Sequence, residues 1–368
     1  MDRVGWTQWH VLDTVSRSRG FGDGRGGDAT VRAAVLRSHG LDGVTVSTIA
    51  EPNPAAGEVA VQVRTVGVNQ LDLNVISGFG PGAAAKLPRV LGLDPAGTIV
   101  AVGDGVEVGR IGERVVVKPN ISCGECPRCL AGREADCPTQ TVVGVHRDGG
   151  AAEVMVVPAR NAFDRLGIAP DVATAAVHSV SIALNAIETA DIRAGERVLV
   201  TGASGTLGGA AVAIALHRGA DVVAASRSAL QAPADVRTIR AADAAELVSR
   251  LGAAHSDGRG FDVVIDVSGH GPTLGAGIAA LGWGGRAVFC AASVDHRLEL
   301  DTREFYLRRK RLIGVASADY AQVRRALGLV RDGIVVPPIA ARYEFDEIAR
   351  AYREFPDSGG GKVIIDVQ

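Results

Sequence analysis

The sequence predicts an α/β protein of two domains, a β-rich unit of short strands followed by a doubly wound parallel sheet. Three observations carry that expectation. Short apolar runs punctuated by Gly and Pro fill residues 31–157. Residues 197–227 read as strand, glycine turn, helix and second strand. After Asp191, further apolar runs alternate with helical stretches as far as residue 316. A length of 368 residues suits two domains that each bury a core.

Taken in order, residues 1–30 carry Trp6 and Trp9 and then a Gly-, Asp- and Arg-rich run, Gly20 to Asp28. They read as a flexible extension; tryptophans docked on the body, or an overlong start, are the alternatives. They lack the apolar segment of a secretory signal, so the chain is expected in the cytoplasm. Strands are expected at 31–36, 44–49, 58–66, 97–102, 114–118 and 151–157. The breaks at Glu51-Pro-Asn-Pro54 and Gly103-Asp-Gly105 make a compact barrel-like unit the natural arrangement.

Cys123, Cys126, Cys129 and Cys137 form C-x2-C-x2-C-x7-C within a lobe at 119–140. Four thiolates at this spacing can close a tetrahedron around Zn2+ and leave no position for substrate, which implies a structural metal. An iron–sulfur cluster and an empty, reduced lobe are the alternatives. Cys290, in the apolar run Ala287 to Ala291, reads as a core residue.

Next come Arg197-Val-Leu-Val-Thr201, the turn Gly202-Ala203-Ser204-Gly205-Thr206-Leu207-Gly208, an Ala-rich helix, and a strand ending Ser226-Arg227. Small residues at a strand-to-helix handover let the backbone approach a dinucleotide pyrophosphate, and the helix start favours its charge. An ordinary tight turn is the alternative. NAD readers place an acid at the end of the second strand. Here Ser226 and Arg227 stand there, and Asp221 lies at the strand's beginning. A guanidinium pairs with a 2′-phosphate, so NADP(H) is expected; a solvated loop cation is the alternative for Arg227. Further strands are expected at 262–266, 286–291 and 311–316.

The formal net charge of −2 argues against nucleic acid as a partner, and no apolar run approaches a membrane span. Lysine occurs only at Lys86, Lys118, Lys310 and Lys362 among 39 Lys and Arg residues, which reads as compositional bias.

Together these pieces resemble the medium-chain dehydrogenase/reductase superfamily, which includes zinc alcohol dehydrogenases and quinone or enoyl reductases. Besides the lobe and the glycine turn, the resemblance rests on Val66-Gly-Val-Asn-Gln-Leu-Asp72, Pro88-Arg-Val-Leu-Gly-Leu-Asp-Pro-Ala-Gly97, Gly144-Val-His-Arg-Asp-Gly-Gly150 and Gly361-Lys-Val-Ile-Ile-Asp366, and covers residues 31–368. It implies a GroES-like catalytic domain of residues 31–157 and 335–368, a Rossmann domain of residues 158–334, and a homodimer joined through Rossmann sheet edges. On the cofactor side it implies Gly202 to Gly208 at the pyrophosphate, Ser226 and Arg227 at the adenosine phosphate, and Val267 at a ribose. Cys290 and Ala291 are expected near the nicotinamide, and Lys362 either reaches the cofactor or is a plain surface lysine.

The departures from the resembled pattern concern the catalytic metal. Zinc-dependent members hold it with Cys, His and Cys or Asp, with a Glu nearby. Asn69 stands in place of the first Cys, Leu93 of the His and Asp94 of the Glu; the third ligand falls near His178. Leu71 replaces the proton-relaying Ser or Thr. Leucine cannot ligate zinc and Asn is a poor ligand, so a catalytic zinc is not expected; an unusual Asn/Asp/His site is the alternative. Without a Lewis acid, the expected reaction is hydride transfer to an activated C=C or quinone, whose negative charge is delocalised. Asn69 and Gln70 are the candidates to bind the acceptor carbonyl, Asp72 or Asp94 to orient them or the nicotinamide ribose, and His178 to deliver a proton. Against these roles, His178 reads as a packing residue, Asp94 as a turn former and Asp72 as structural. His146 and Arg147 form a turn or touch substrate, and the pattern selects neither Tyr306 nor Tyr320 as a donor. Two further function classes stay open: an alcohol dehydrogenase or specialised biosynthetic dehydrogenase with an altered site, and a non-catalytic NADPH-binding protein.

Overall fold

A computed structural model describes residues 29–230, 232–234, 236–254, 258–292 and 294–368. The expectation for the N-terminal extension lies, up to residue 28, outside the described residues.

The strands of the first part are β1 (Thr30–Leu36), β2 (Val44–Ala50), β3 (Glu58–Val68), β4 (Arg89–Val90), β5 (Ala96–Val102), β6 (Arg114–Val117), β7 (Asn120–Ile121), β8 (Thr141–Val142), β9 (Val154–Pro158) and β10 (Ala162–Asp164). Two helices interrupt them, α1 (Gln70–Ser77) and α2 (Pro127–Leu130). β1 pairs antiparallel with β2 and β4 in a three-stranded sheet. β3 is long enough to serve three partners, pairing with β5 over Val59–Thr65, with β9 over its first half and with the chain's final strand (Lys362–Asp366) over its last residues, with register shifts against β5 that curve it. Val59, Val61, Val63, Leu91, Leu93 and Ile99 fill the core that this curved sheet encloses. β10 pairs with β6 and so lies in the first sheet.

The chain then crosses to a second unit. Its strands are β11 (Arg197–Thr201), β12 (Asp221–Ser226), β13 (Arg237–Arg240), β14 (Phe261–Asp266), β15 (Leu281–Phe289) and β16 (Arg311–Gly314). Its helices are α3 (Pro170–Val177), α4 (Ser179–Thr189), α5 (Thr206–His217), α6 (Ala244–Ala254), α7 (Gly271–Ala279), α8 (Thr302–Leu307) and α9 (Tyr320–Arg331). All pairings are parallel, in the order β13-β12-β11-β14-β15-β16. Period-two alternation buries both faces. Val198, Val200, Val263 and Ile265 pack in one core with Ile187 and Ile214; Leu199, Val223 and Val264 pack in the other with Leu247 and Leu274. This is the doubly wound Rossmann sheet. Its strand order reverses between β11 and β14, where ligands of such sheets bind.

The chain finally returns through β17 (Ile339–Glu344), α10 (Ile348–Glu354) and β18 (Lys362–Asp366). β18 pairs antiparallel with β3 and parallel with β17, so the first sheet, the GroES-like unit, contains strands translated after the whole Rossmann unit. No helix among the described residues is long and apolar enough to cross a membrane.

Candidate active site

The cofactor side is built where β11 gives way to α5. Gly202 has φ +74°, a left-handed conformation that other residues rarely adopt, and a Cβ there would lie 2.8 Å from the Ser268 backbone nitrogen. Ala203 and Ser204 form the turn, Gly205 precedes the helix, and Thr206 and Leu207 open it. Gly208 lets the helix press on the turn, since a Cβ would sit 2.3 Å from the Gly202 carbonyl oxygen. Beside this turn lies a cavity of about 390 Å³ lined by Gly202, Ser204, Ser226, Arg227 and Val267 among others. Ser226, Arg227 and Ser228 edge it after β12. Asp221 is the first residue of β12, at the opposite end of that strand. Asp243, which the sequence reading missed, also lines the cavity, but one of its oxygens accepts the Glu246 N–H at the start of α6.

Cys290 and Ala291 follow β15 beside the end of β14, outside the wall of this cavity. Burial, with Asp266 nearby, pushes the Cys290 thiol up to about 12, so it is a neutral group. Asp266 ends β14, accepts Thr201 Oγ1 at 2.5 Å and Ser268 Oγ at 2.8 Å, and leaves Oδ2 unpartnered. Burial raises its carboxyl.

The acceptor side gathers residues from four segments. Asn69 precedes α1, and its backbone N–H donates to Asp72 Oδ2 at 2.9 Å. Asp72 Oδ1 accepts the Gly92 N–H at 3.1 Å and thereby ties α1 to the segment that carries Leu93 and Asp94. Asp94 is fully buried; Oδ1 accepts the Gly67 N–H at 3.1 Å, and Oδ2 accepts Asn69 Nδ2 at 3.1 Å. Lys362, at the start of β18, completes the group. Its Nζ donates to Asp94 Oδ2 at 2.5 Å and to Asn69 Oδ1 at 2.6 Å. It is 3% exposed, so the surface reading of this lysine does not hold, and its partners are the acceptor-side residues. The segment before it still touches the cofactor side: a Cβ at Gly360 would lie 2.4 Å from the Ser204 carbonyl oxygen.

The remaining candidates divide. Burial, and to a lesser degree Asp94, push the Asp72 carboxyl up to about 7, against the two N–H donors and Lys362. His178 stands at the break between α3 and α4, near enough to Asp94, Lys362 and Lys118 to feel their charge. Burial holds its imidazole down at about 4; the two ammonium groups reinforce this and Asp94 opposes it. Gln70 is exposed, and its Nε2 donates to Asn74 rather than joining the Asp94 group. Arg147 pairs with Glu58 and His146 Nδ1 accepts the Val142 N–H, both within the first unit. Tyr306 is exposed. Tyr320 is buried and bonds Asn161 and Ser122.

The family resembled here implies two metals, and the residues fit one of them. The sulfur atoms of Cys123, Cys126, Cys129 and Cys137 all lie within 4.8 Å of one another. Neighbouring pairs are 3.5 to 3.8 Å apart, close to the roughly 3.8 Å edge of a tetrahedron with 2.3 Å zinc–sulfur bonds. The Cys123 N–H donates to Cys137 Sγ and the Cys126 N–H to Cys123 Sγ, as outer-shell donors to thiolates do. The acceptor side does not fit a catalytic zinc. Its donors are one carboxylate and one amide oxygen, both bonded to an ammonium, with buried Leu93 in the histidine's place.

The alcohol dehydrogenase GroES-like domain matches residues 55–167, and zinc-binding dehydrogenase matches residues 206–332. L-galactonate-5-dehydrogenase of Escherichia coli (strain K12) is 31% identical over 315 residues, covering 82% of this chain and 88% of its own. Acryloyl-coenzyme A reductase of Metallosphaera sedula is 31% identical over 339 residues, covering 91% and 99%. The cobalt- and zinc-bound thermostable alcohol dehydrogenase from Pyrobaculum aerophilum superposes with a TM-score of 0.81 at 29% identity, over 92% of this chain and 100% of that one.

Proposed function

The chain belongs to the medium-chain dehydrogenase/reductase superfamily, and from that premise we propose that it is an NADPH-dependent reductase of a small molecule bearing an activated C=C bond or a quinone. One observation carries the reading. The acceptor side is a hydrogen-bonded group of Asn69, Asp94 and Lys362 that does not suit a catalytic metal. Conjugate reduction spreads charge over an enolate or phenolate, which preorganised hydrogen bonds can hold.

Bound NADPH supplies the hydride. Gly202 to Gly208 would cradle its pyrophosphate, and Arg227, with the hydroxyls of Ser226 and Ser228, would hold the 2′-phosphate. Asp94 fixes the Asn69 carboxamide, and Asp72 anchors the helix start that presents it. His178 is uncharged at neutral pH, so the proton that completes the product comes from water rather than from an imidazolium. The four lobe cysteines would hold a structural zinc. The chain forms a homodimer through the edge strand β16.

Turnover of NADPH and NADH is measured with enones, enoyl thioesters and quinones, and alcohol oxidation is measured in parallel. Conjugated acceptors are expected to be reduced with NADPH preferred; alcohol oxidation faster than every conjugate reduction sinks the reading. Arg227→Ala is expected to weaken NADPH by about 10- to 100-fold and leave NADH unchanged, the worth of a charge-assisted contact.

A further inference from the structure

We propose that the Lys362 ammonium is the resident cation of the acceptor site, taking the place of a metal ion and donating its remaining N–H to the oxygen on which charge develops. This rests on the reaction proposed above and says which group of the chain makes it work.

The placement is specific. Lys362 Nζ bridges Asp94 Oδ2 and Asn69 Oδ1, while Asn69 Nδ2 closes the ring back onto Asp94. The lysine stem runs over Gly67, where a Cβ would lie 2.2 Å from Lys362 Cε and 2.8 Å from Asp94 Oδ1; only glycine leaves that passage open. β18 holds the backbone in place through the Val363–Val68 and Ile364–Gly67 pairs. An ammonium has three N–H groups; Asp94 and Asn69 take two, and no described residue takes the third. A divalent ion in the same place would compete with a fixed positive charge for the same two oxygens. Gly360 lies on the glycine turn, so the segment that delivers the ammonium also touches the cofactor's binding loop.

The chemistry balances without a metal. Hydride adds to the β carbon, the C=C π pair shifts toward the carbonyl, and the carbonyl oxygen takes the negative charge. Lys362 keeps its proton and holds that oxygen by a hydrogen bond. Solvent then protonates the α carbon. Lys362 is thus a catalytic residue, with Asn69 and Asp94 as its positioning residues.

The test uses the full chain. Cobalt(II) is titrated into metal-stripped protein and read by its visible spectrum. One equivalent with a thiolate signature is expected; a second, oxygen- and nitrogen-bound equivalent overturns the assignment. Lys362→Met leaves Asp94 buried without its partner, so Lys362→Met/Asp94→Asn serves as the neutral counterpart that folds. With it, kcat/KM is expected to fall by about 100- to 1000-fold, the worth of an oxyanion donor. The loss is larger for a simple enone than for a quinone, and the NADPH dissociation constant stays within about twofold. An unchanged kcat/KM, equal losses for both acceptors, or a loss confined to NADPH binding overturns the proposal. Protein that reduces no acceptor removes the proposed reaction instead, and the cobalt titration still decides whether Lys362 holds the cation's place.

Discussion

Asp72 carries its carboxyl group into the interior beside Asp94, with only two backbone N–H donors to hold it. Its value of about 7 lies above that of an unfolded aspartate, near 3.9. Between those values the folded chain keeps a proton that the unfolded chain has lost. Stability from this group is therefore fully present below about pH 4, falls as pH rises toward 7, and is level above, with a slope approaching about 1.4 kcal/mol per pH unit. Asp72→Asn is expected to remove that slope; urea unfolding at pH 5 and pH 7 reads it, and identical pH dependence in both proteins refutes it. The lysines show how far single residues were legible. Lys118, Lys310 and Lys362 are buried and Lys86 is exposed, so three of the four lysines sit in the interior. Lys310 Nζ donates to the Ile278 carbonyl at the end of α7, and Lys118 Nζ to Asn120 O and Ser317 Oγ. A compact ammonium fits such clusters where a planar guanidinium fork does not. A lysine inside the apolar run Lys362–Asp366, in a chain that otherwise chooses arginine, was the available signal. Its partners lie 268 and 293 residues away, beyond any local pattern.

At the scale of elements, two adjacent glycines in α5 differ sharply. A Cβ on Gly208 would meet backbone atoms at 2.3 and 2.7 Å, which no rotamer change relieves, whereas one on Gly209 would find its nearest atom at 4.0 Å. Gly208→Ala is expected to cost about 1–3 kcal/mol as the helix backs away from β11 and to weaken NADPH binding. Gly209→Ala is expected to stabilise by up to about 1 kcal/mol through helix propensity. Thermal unfolding with and without NADPH measures both, and equal effects of the two substitutions would falsify the close-packing argument. This element was legible because its signals are local: apolar runs of strand length, glycines at the turn and small residues on the helix. β13 (Arg237–Arg240) was not, because an exposed, Arg-bearing edge strand has no apolar run to mark it. α3 and α4 meet at His178, with α3 packed on the first unit's sheet, a junction that no local pattern marks.

For the molecule as a whole, the cysteine lobe clamps its two units together. The Ala135 N–H donates to Asp319 Oδ1, the Tyr320 N–H to Glu134 Oε2, and Ser122 Oγ to the Tyr320 hydroxyl. Tyr320 stacks edge-on against Phe163, and Lys118, held down at about 8 chiefly by burial, lies 5.5 Å from its ring. Cys129→Ser is expected to release the zinc and cost about 2–4 kcal/mol, or roughly 5–10 °C in thermal midpoint. Amide exchange at the start of α9 should quicken in step; zinc loss with unaltered exchange there refutes the clamp. The two-unit plan was readable in composition and order, but this junction was not, since its partners come from opposite units. The pairing of β18 with β3 sets a timetable as well. The ribosome makes the sheet's inner strand only after the nucleotide-binding half has emerged, so that half can fold while its neighbour waits as an open-edged intermediate that a chaperone could guard.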